Sequence, residues 1–257
     1  MNFLDILKED KPYLKLIELQ NSGELVELCP ELSNLDEKVT GHKNNFYHTM
    51  GVLKNVCDSK NNTFKMKVVA LFHDIGKLKT KSFESGEWTF YEHEKVSAKM
   101  VLVIFKRMEI EDKVFIDYVY RMIYYHGRTK IPRDVTESAI RRFGREVGLD
   151  IINDLMDFCK CDITTKWDDK RERFQSALDI MRNRIFEINK KDEESKWRSP
   201  LTGEIIMKTL NIEPCKLIGD IKKKYEPLFK EGKITLEEAI KQIKDENISN
   251  TSERSHN

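Results

Sequence analysis

The sequence predicts an all-α protein, a helical bundle followed by a small helical appendage towards the C-terminus. Three observations carry this expectation. Apolar residues recur at steps of three and four through most of the chain, as the buried face of a helix requires. No stretch alternates apolar and polar side chains for long, so no sheet is expected. Helix breakers are scarce, with 11 Gly and 6 Pro in 257 residues, and 35% of the residues are charged, which suits long solvated helix faces.

In chain order, Leu14, Leu16, Ile17 and Leu19 lie at helical spacing, and Gly23 stops that helix. Leu25, Val26, Leu28 and Leu32 make a second short helical piece around Pro30. Phe46, Met50, Leu53 and Val56 mark one face of the next helix, and Phe64 to Phe72 is an apolar run leading straight into His73-Asp74. Gly86 and its polar neighbours read as a loop. Ala98, Val101, Leu102, Phe105 and Met108 then define a helix. Phe115, Tyr118, Val119, Met122 and Ile123 define another, whose next same-face position is His126 and which Gly127 ends.

After a loop containing Pro132, Ile140 and Phe143 indicate a short helix closed by Gly148. Ile151, Ile152, Leu155, Met156 and Cys159 form a stripe whose next position is Asp162. Phe174, Leu178, Met181 and Ile185 belong to a long helix with a charged outer face. The polar stretch 189–198 reads as a linker. Past Pro200 come three short helices, the last opening on Thr235-Leu236-Glu237-Glu238, a capping box that satisfies two otherwise unpaired amides. The expected organisation is an N-terminal helical segment over 1–40, a main domain over 41–190, a C-terminal helical region over 199–246 and a disordered tail over 247–257.

Composition narrows the function. No apolar run approaches the roughly 18 residues of a membrane span, and the N-terminus lacks the basic and apolar regions of a leader, so the chain reads as cytoplasmic, with no membrane partner. Five scattered cysteines without a C-x-x-C pair point to free thiols in a reducing compartment. A net charge of +1 gives no global attraction to nucleic acid, and no DNA groove-reading motif is present. The basic clusters Lys77-Leu78-Lys79-Thr80-Lys81, Arg141-Arg142 and Lys222-Lys223-Lys224 are either phosphate contacts or solvated helix faces.

The chemistry gathers on a few residues. Four of the six histidines, His48, His73, His93 and His126, fall at helix ends or on otherwise apolar faces. An imidazole there is costly unless it is hydrogen-bonded or metal-bound. Asp162 ends an apolar stripe in the same way, and a buried carboxylate needs a cation or several donors. His73 and Asp74 point about 100° apart on a helix, so they chelate one ion only from a crevice to which other helices bring further ligands. His48 upstream and Asp162 downstream offer them. Two imidazoles and two carboxylates suit a divalent ion such as Mn²⁺, Ni²⁺, Fe²⁺, Mg²⁺ or Zn²⁺.

His48, then His73-Asp74-Ile75-Gly76-Lys77, then Asp162 resembles the H…HD…D signature of the HD phosphohydrolase superfamily. His93 and His126 look like the two extra histidines with which some of its enzymes hold a second metal. Within the superfamily the chain is most similar to the C-terminal half of bacterial CCA-adding tRNA nucleotidyltransferases and poly(A) polymerases. That likeness rests on Gly23-Glu24-Leu25, Pro30-Glu31-Leu32, Phe90-Tyr91-Glu92-His93-Glu94 and the stretch from Pro200-Leu201-Thr202-Gly203-Glu204 to Glu238. The Gly-Ser and Asp-x-Asp motifs of the nucleotidyltransferase head are missing, which argues against nucleotide addition.

The resemblance implies an HD-domain bundle, with one divalent ion on His48, His73, Asp74 and Asp162. A second would sit on His93 and His126, with Asp74 bridging. It implies hydrolysis of phosphomonoesters or 2′,3′-cyclic phosphates of nucleotides or RNA ends by a metal-bound hydroxide. Asp74 has the catalytic place, Lys77 lies one helical turn from His73 within reach of a phosphate, and Arg128 is a further candidate for that contact. The partners expected are a nucleotide or RNA-end phosphate and tRNA. Alternatives are hydrolysis of small deoxynucleotides or cyclic nucleotides, and a non-catalytic tRNA- or RNA-binding module. Cys159 and Cys161 are expected to pack rather than ligate. Glu94 is either an orienting partner of His93 or an exposed carboxylate. Trp88, Phe90 and Tyr91 either stack on a base or anchor a loop.

Overall fold

The computed structural model describes residues 3–37, 43–129 and 135–254, the last seven of these as backbone only. The loop containing Pro132 and the final three residues lie outside them. The chain opens with a short 3-10 helix, Phe3–Lys8, followed by α1 (Pro12–Ser22), α2 (Leu25–Leu28), α3 (Pro30–Ser33), α4 (Asn45–Cys57), α5 (Phe64–Phe72) and α6 (Lys77–Thr80). A hairpin of β1 (Ser82–Glu84) and β2 (Glu87–Thr89) leads to α7 (His93–Arg107) and α8 (Lys113–Tyr125), then a 3-10 turn over His126–Thr129. After it come α9 (Glu137–Val147), α10 (Ile152–Cys161), α11 (Asp168–Lys196), α12 (Gly203–Leu210), α13 (Lys216–Lys230) and α14 (Leu236–Arg254).

The helices begin where side chains can satisfy free amides. Asn44 accepts from the Tyr47 N–H at the start of α4, Thr63 from Met66 at α5, Asp112 from Val114 and Phe115 at α8, and Thr136 from Ala139 at α9. Gly23, at φ 81°, takes the left-handed turn that closes α1. The apolar stripes then face one core. Helices α4, α5, α7, α8 and α10 pack on one another, with α1 against α4. Phe46, Phe72, Phe105 and Phe158 are almost wholly buried between them.

Three expectations need correction. The body is helical as predicted, but residues 82–89 form an antiparallel hairpin, with Phe83 opposite Trp88. Its two-residue turn, Ser85-Gly86, has φ 53° and 86°, the mirror-image turn that matches strand twist and favours glycine. Three-residue strands are too short for alternation to register. The polar stretch 189–198 is helical as far as Lys196, because the apolar spacing of Leu178, Met181, Ile185 and Ile188 anchors α11 and its exposed turns simply continue. The helix α14 likewise runs to Arg254, into the stretch expected to be disordered, extending turns nucleated by its capped N-terminus.

Contacts divide the chain into two compact units, Met1–Lys190 and Lys191–Asn257. The second has its own small core of Leu201, Ile206, Tyr225, Ala239 and Ile243. Its capping box forms as the sequence suggests: Glu238 N–H donates to Thr235 Oγ1 at 3.3 Å, and Thr235 N–H donates back to Glu238 Oε2 at 2.8 Å. Among the described residues, no helix is long and apolar enough to cross a membrane.

One polar junction ties α10 to its neighbours in the first unit. Asp154 accepts from Asn61 Nδ2 at 2.8 Å and from the Tyr118 hydroxyl at 2.7 Å, and pairs with Lys65 at 3.2 Å. Burial by itself would raise this carboxyl's pKa, but the bonds from Tyr118, Asn61 and Lys65 outweigh it and hold the pKa low. Because the folded-state pKa is the lower one, the contribution to stability is present above the unfolded carboxyl value of about 4 and fades as pH falls through the folded value. Asp154→Ala is expected to cost about 1–3 kcal/mol, since it strands the buried hydroxyl. In urea unfolding, the gap between variant and parent should be full at pH 7 and shrink towards pH 3.

Candidate metal centre

The six side chains singled out in the sequence come together at helix ends. His48 sits in the first turn of α4, His73 directly after α5, His93 at the start of α7, His126 directly after α8, and Asp162 directly after α10. Asp74 follows His73 in the turn between α5 and α6. At such ends the side chains point past the last packed layer, so five separate helices can aim polar groups into one crevice while their stripes stay in the core.

Ligand atoms of His48, His73 and Asp74 all lie within 4.8 Å of one another, and so do those of Asp74, His93 and His126. Asp74 joins the two trios through different oxygens. Its Oδ2 is 3.4 Å from His48 Nε2 and 3.3 Å from His73 Nε2. Its Oδ1 is 3.2 Å from His93 Nε2 and 4.0 Å from His126 Nε2. Asp162 completes the first trio, with Oδ1 3.0 Å from His48 Nε2 and 3.4 Å from His73 Nε2.

The ring orientations are fixed from behind. The Nδ1 atoms of His73, His93 and His126 lie 2.9, 2.9 and 2.6 Å from the carbonyls of Ala70, Phe90 and Ile123, each three residues earlier. A carbonyl only accepts, so each Nδ1 carries a proton and each Nε2 is left turned towards Asp74. Phe158 closes the back, edge-on to His73 at 5.5 Å and to His126 at 6.2 Å.

A cation suits this arrangement. His73 Nε2 and Asp162 Oδ1 are shut off from solvent without a hydrogen-bond partner, although both face the same point. Lone pairs left so are expensive unless a positive charge meets them. The protonation pattern says the same. Burial opposes charge on His73, but Asp74 and Asp162 outweigh it and raise its pKa to about 10. Burial would raise the pKa of both carboxyls. The charges of His73 and Lys77 hold Asp74 well below the usual range, and the His48 and His73 rings, 3.0 and 3.4 Å from Oδ1, do the same for Asp162. His48 is lowered by burial, and His126 is pushed down to about 4 by burial and by the charge of His73. The carboxylates thus draw positive charge to the point they share, here onto His73, while burial keeps His48 and His126 neutral, and a divalent ion at that point would meet the same demand.

Residues 45–167 match the HD domain. Every residue of the cluster falls within that segment. Among curated proteins, none matches the chain.

The other residues singled out in the HD segment divide. Lys77 belongs to the site: its Nζ donates to Asp74 Oδ2 at 2.6 Å and stands 5.5 Å over the Phe90 ring. Arg128 does not. It pairs with Glu146 at 2.9 Å and stacks on Tyr125, because the 3-10 turn after α8 carries its side chain towards α9. Glu94 comes within 3.6 Å of His93 Nδ1, but the Phe90 carbonyl already takes that nitrogen. Cys159 packs under the His126 turn, 3.4 Å from its carbonyl, and Cys161 is buried. Trp88 meets Phe83 and Lys81 on the hairpin, and Tyr91 is exposed.

Sequence reasoning missed several members of the HD site. Phe158 had a signal, since it stands one turn before Asp162 on the same helix. Thr164 and Lys43 had none. Thr164 Oγ1 is 3.0 Å from His48 Nδ1, and Lys43 Nζ is 3.1 Å from both. His48 is therefore the one ring of the four whose Nδ1 faces a hydroxyl rather than a helix carbonyl. The Thr164 hydroxyl and the Lys43 ammonium meet at His48 Nδ1 and hold the ring with its Nε2 turned inward to Asp74 and Asp162. Thr164→Val keeps the shape and removes the hydroxyl that holds the His48 ring. It is expected to weaken divalent-ion affinity by about 10–100-fold, read by calorimetric titration of the apo protein.

Proposed function

We propose that this chain is a metal-dependent phosphohydrolase, acting on phosphomonoesters or 2′,3′-cyclic phosphates of nucleotides or RNA ends. The observation that carries the reading is the single buried carboxylate, Asp74, shared between two histidine sets within an HD domain segment. Asp74, His48, His73 and Asp162 would hold one divalent ion, and Asp74, His93 and His126 a second. Held there, such ions lower the pKa of water and neutralise phosphoryl charge.

The remaining chemistry belongs to the chain itself. Side-chain exposure is 27% at Asp162, 18% at His93 and 12% at Lys77, against 4% or less at His48, His73, Asp74 and His126. A phosphate therefore reaches the cluster across the Asp162, His93 and Lys77 side. Lys77 is the cation on that path, and its ammonium can move from Asp74 to a phosphoryl oxygen within the same reach. Phe158 and the carbonyl-tied rings keep water out from behind and stop the imidazoles from turning as charge develops.

The nucleotide and RNA-end preference rests on the likeness of the flanking segments to the C-terminal half of CCA-adding enzymes. A panel of nucleoside 2′-, 3′- and 5′-monophosphates, 2′,3′-cyclic nucleotides and deoxynucleotides, each with Mn²⁺, Ni²⁺, Mg²⁺, Fe²⁺ and Zn²⁺, tests it. Turnover of the cyclic or terminal ribonucleotide phosphates, absent in His73→Ala, is expected. RNA binding without turnover of any phosphoester, unaltered in that variant, would replace the enzyme with a binding module.

A further inference from the structure

A groove of about 920 Å³ runs alongside the candidate metal centre, between the C-terminal ends of α4 and α10 and the first half of α11. Its composition sets it apart in a chain whose net charge is only +1. Lys54, Lys60, Lys160, Arg171 and Arg182 line it, against two lining carboxylates, Asp58 and Asp157. Much of the remaining wall is amide and hydroxyl, including Asn55, Thr165 and Gln175.

The cations are held loosely. Lys54 pairs with Asp58 at 2.6 Å and Arg171 with Asp168 at 3.0 Å, and every side chain of the two pairs is at least 41% exposed. Lys160 reaches out of the groove to Asp179 at 2.6 Å. Exposed pairs of this kind contribute about 0–1 kcal/mol, so an incoming anion can take over their cations at little cost. Lys60 has no ion-pair partner among the described residues. Arg182 is bound to Asp157 through Nη2, yet its Nε is closed to solvent without an acceptor.

The groove also begins where the metal cluster ends. Thr164 lines its wall, and the same hydroxyl lies 3.0 Å from His48 Nδ1. Ile163 and Thr164 of the wall directly follow Asp162, the most exposed member of the cluster, so a substrate that extends from the cluster past Asp162 runs towards these cations.

We propose that the groove is a phosphate subsite for the part of the substrate beyond the hydrolysed group, so that the preferred substrate carries more than one phosphate. This rests on the phosphohydrolase reading. The phosphates come either from the backbone of a nucleic-acid strand or from the polyphosphate chain of a free nucleotide, and the chemistry of recognition is the same for both.

The experiment measures binding to the full chain in EDTA, where no turnover occurs. The probes are a fluorescein-labelled hexaribonucleotide, inorganic tripolyphosphate and a nucleoside 3′-monophosphate. Lys60→Glu reverses a cation that no ion pair needs, and Lys60→Arg restores the charge. Both polyanions, or one of them, should bind the parent at least about tenfold more tightly than the monophosphate. Lys60→Glu should weaken that binding by about tenfold, and Lys60→Arg should recover it. The salt dependence of log K for the oligonucleotide should flatten by about one or more in Lys60→Glu, since a phosphate contact has been lost. Loss for the oligonucleotide alone assigns the groove to a strand backbone, and loss for tripolyphosphate as well assigns it to free polyphosphates. Equal affinity of the parent for all three probes, or no change in Lys60→Glu, overturns the proposal. Failure of the enzymatic reading shows separately, as absence of turnover by the metal-loaded parent on every phosphoester of the substrate panel and on the oligonucleotide and tripolyphosphate.

Discussion

On the metal-dependent phosphohydrolase reading, Asp74→Asn is expected to lose divalent-ion binding and, with it, about 10³-fold or more of the activity. The substitution is nearly isosteric, so the crevice keeps its shape. What disappears is the one negative charge that reaches both histidine sets, through Oδ2 to His48 and His73 and through Oδ1 to His93 and His126. An amide offers a single neutral acceptor, and its N–H donates to an imidazole lone pair that an ion would otherwise use. Several kcal/mol of charge stabilisation go with the ions, and about 4 kcal/mol corresponds to a thousandfold in rate. A second readout needs no substrate. In the parent, an ion at one hundred times its dissociation constant adds about 2.7 kcal/mol to stability, so the melting temperature should rise with Mn²⁺ and fall with EDTA. In Asp74→Asn the two curves should coincide. Elemental analysis showing ions retained at parental stoichiometry would end the assignment.

Gly76→Val should unfold or severely weaken the first unit, for a reason unrelated to glycine's backbone freedom, since φ at Gly76 is an ordinary −65°. A Cβ there would lie 2.8 Å from Ser97 Oγ, 2.5 Å from the Ser97 nitrogen and nearer still to the His93 carbonyl oxygen. Two of those three atoms are backbone of α7 and cannot move aside alone. The Gly76 N–H also donates to Ser97 Oγ at 2.8 Å, so the whole first turn of α7 is held against the His73-Asp74 turn. Overpacking of this kind costs about 1–3 kcal/mol or more, and relief requires α7 to retreat. Retreat carries His93 away from Asp74. Loss of stability should therefore come with loss of the second ion, even in the fraction that stays folded. Gly51→Ala is the control. Gly51 lies inside α4, where an added Cβ would meet only Thr164 Cγ2 at an ordinary 3.7 Å. It should stabilise by about 0.5–1 kcal/mol, as alanine does over glycine in a helix. Thermal melts of the three proteins, with and without Mn²⁺, decide both points.

Much of the site was legible before any coordinates. His126 and Asp162 each stand at the next same-face position after an apolar stripe, and His73 directly follows an apolar run; a stripe that ends on an imidazole or a carboxylate gives away the direction in which that side chain points. Arg128 shows where such reasoning stops. It lies two residues past His126, but the helix has given way to a 3-10 turn, and a changed rise and rotation carry it to Glu146. The hairpin at 82–89 was invisible because three-residue strands leave no period to read, although the Ser85-Gly86 pair is a turn signal.

The sequence by itself determined the helices, most of their ends and the identity of the six polar side chains, because spacing and capping act over a few residues along one chain. Only the tertiary structure decided which oxygen of Asp74 faces which pair of rings, that Thr164 rather than a helix carbonyl backs His48, and that cations from α4, α10 and α11 share one groove. Those relations depend on how helices far apart in sequence approach one another, and that is set by packing across the core, which no local pattern records.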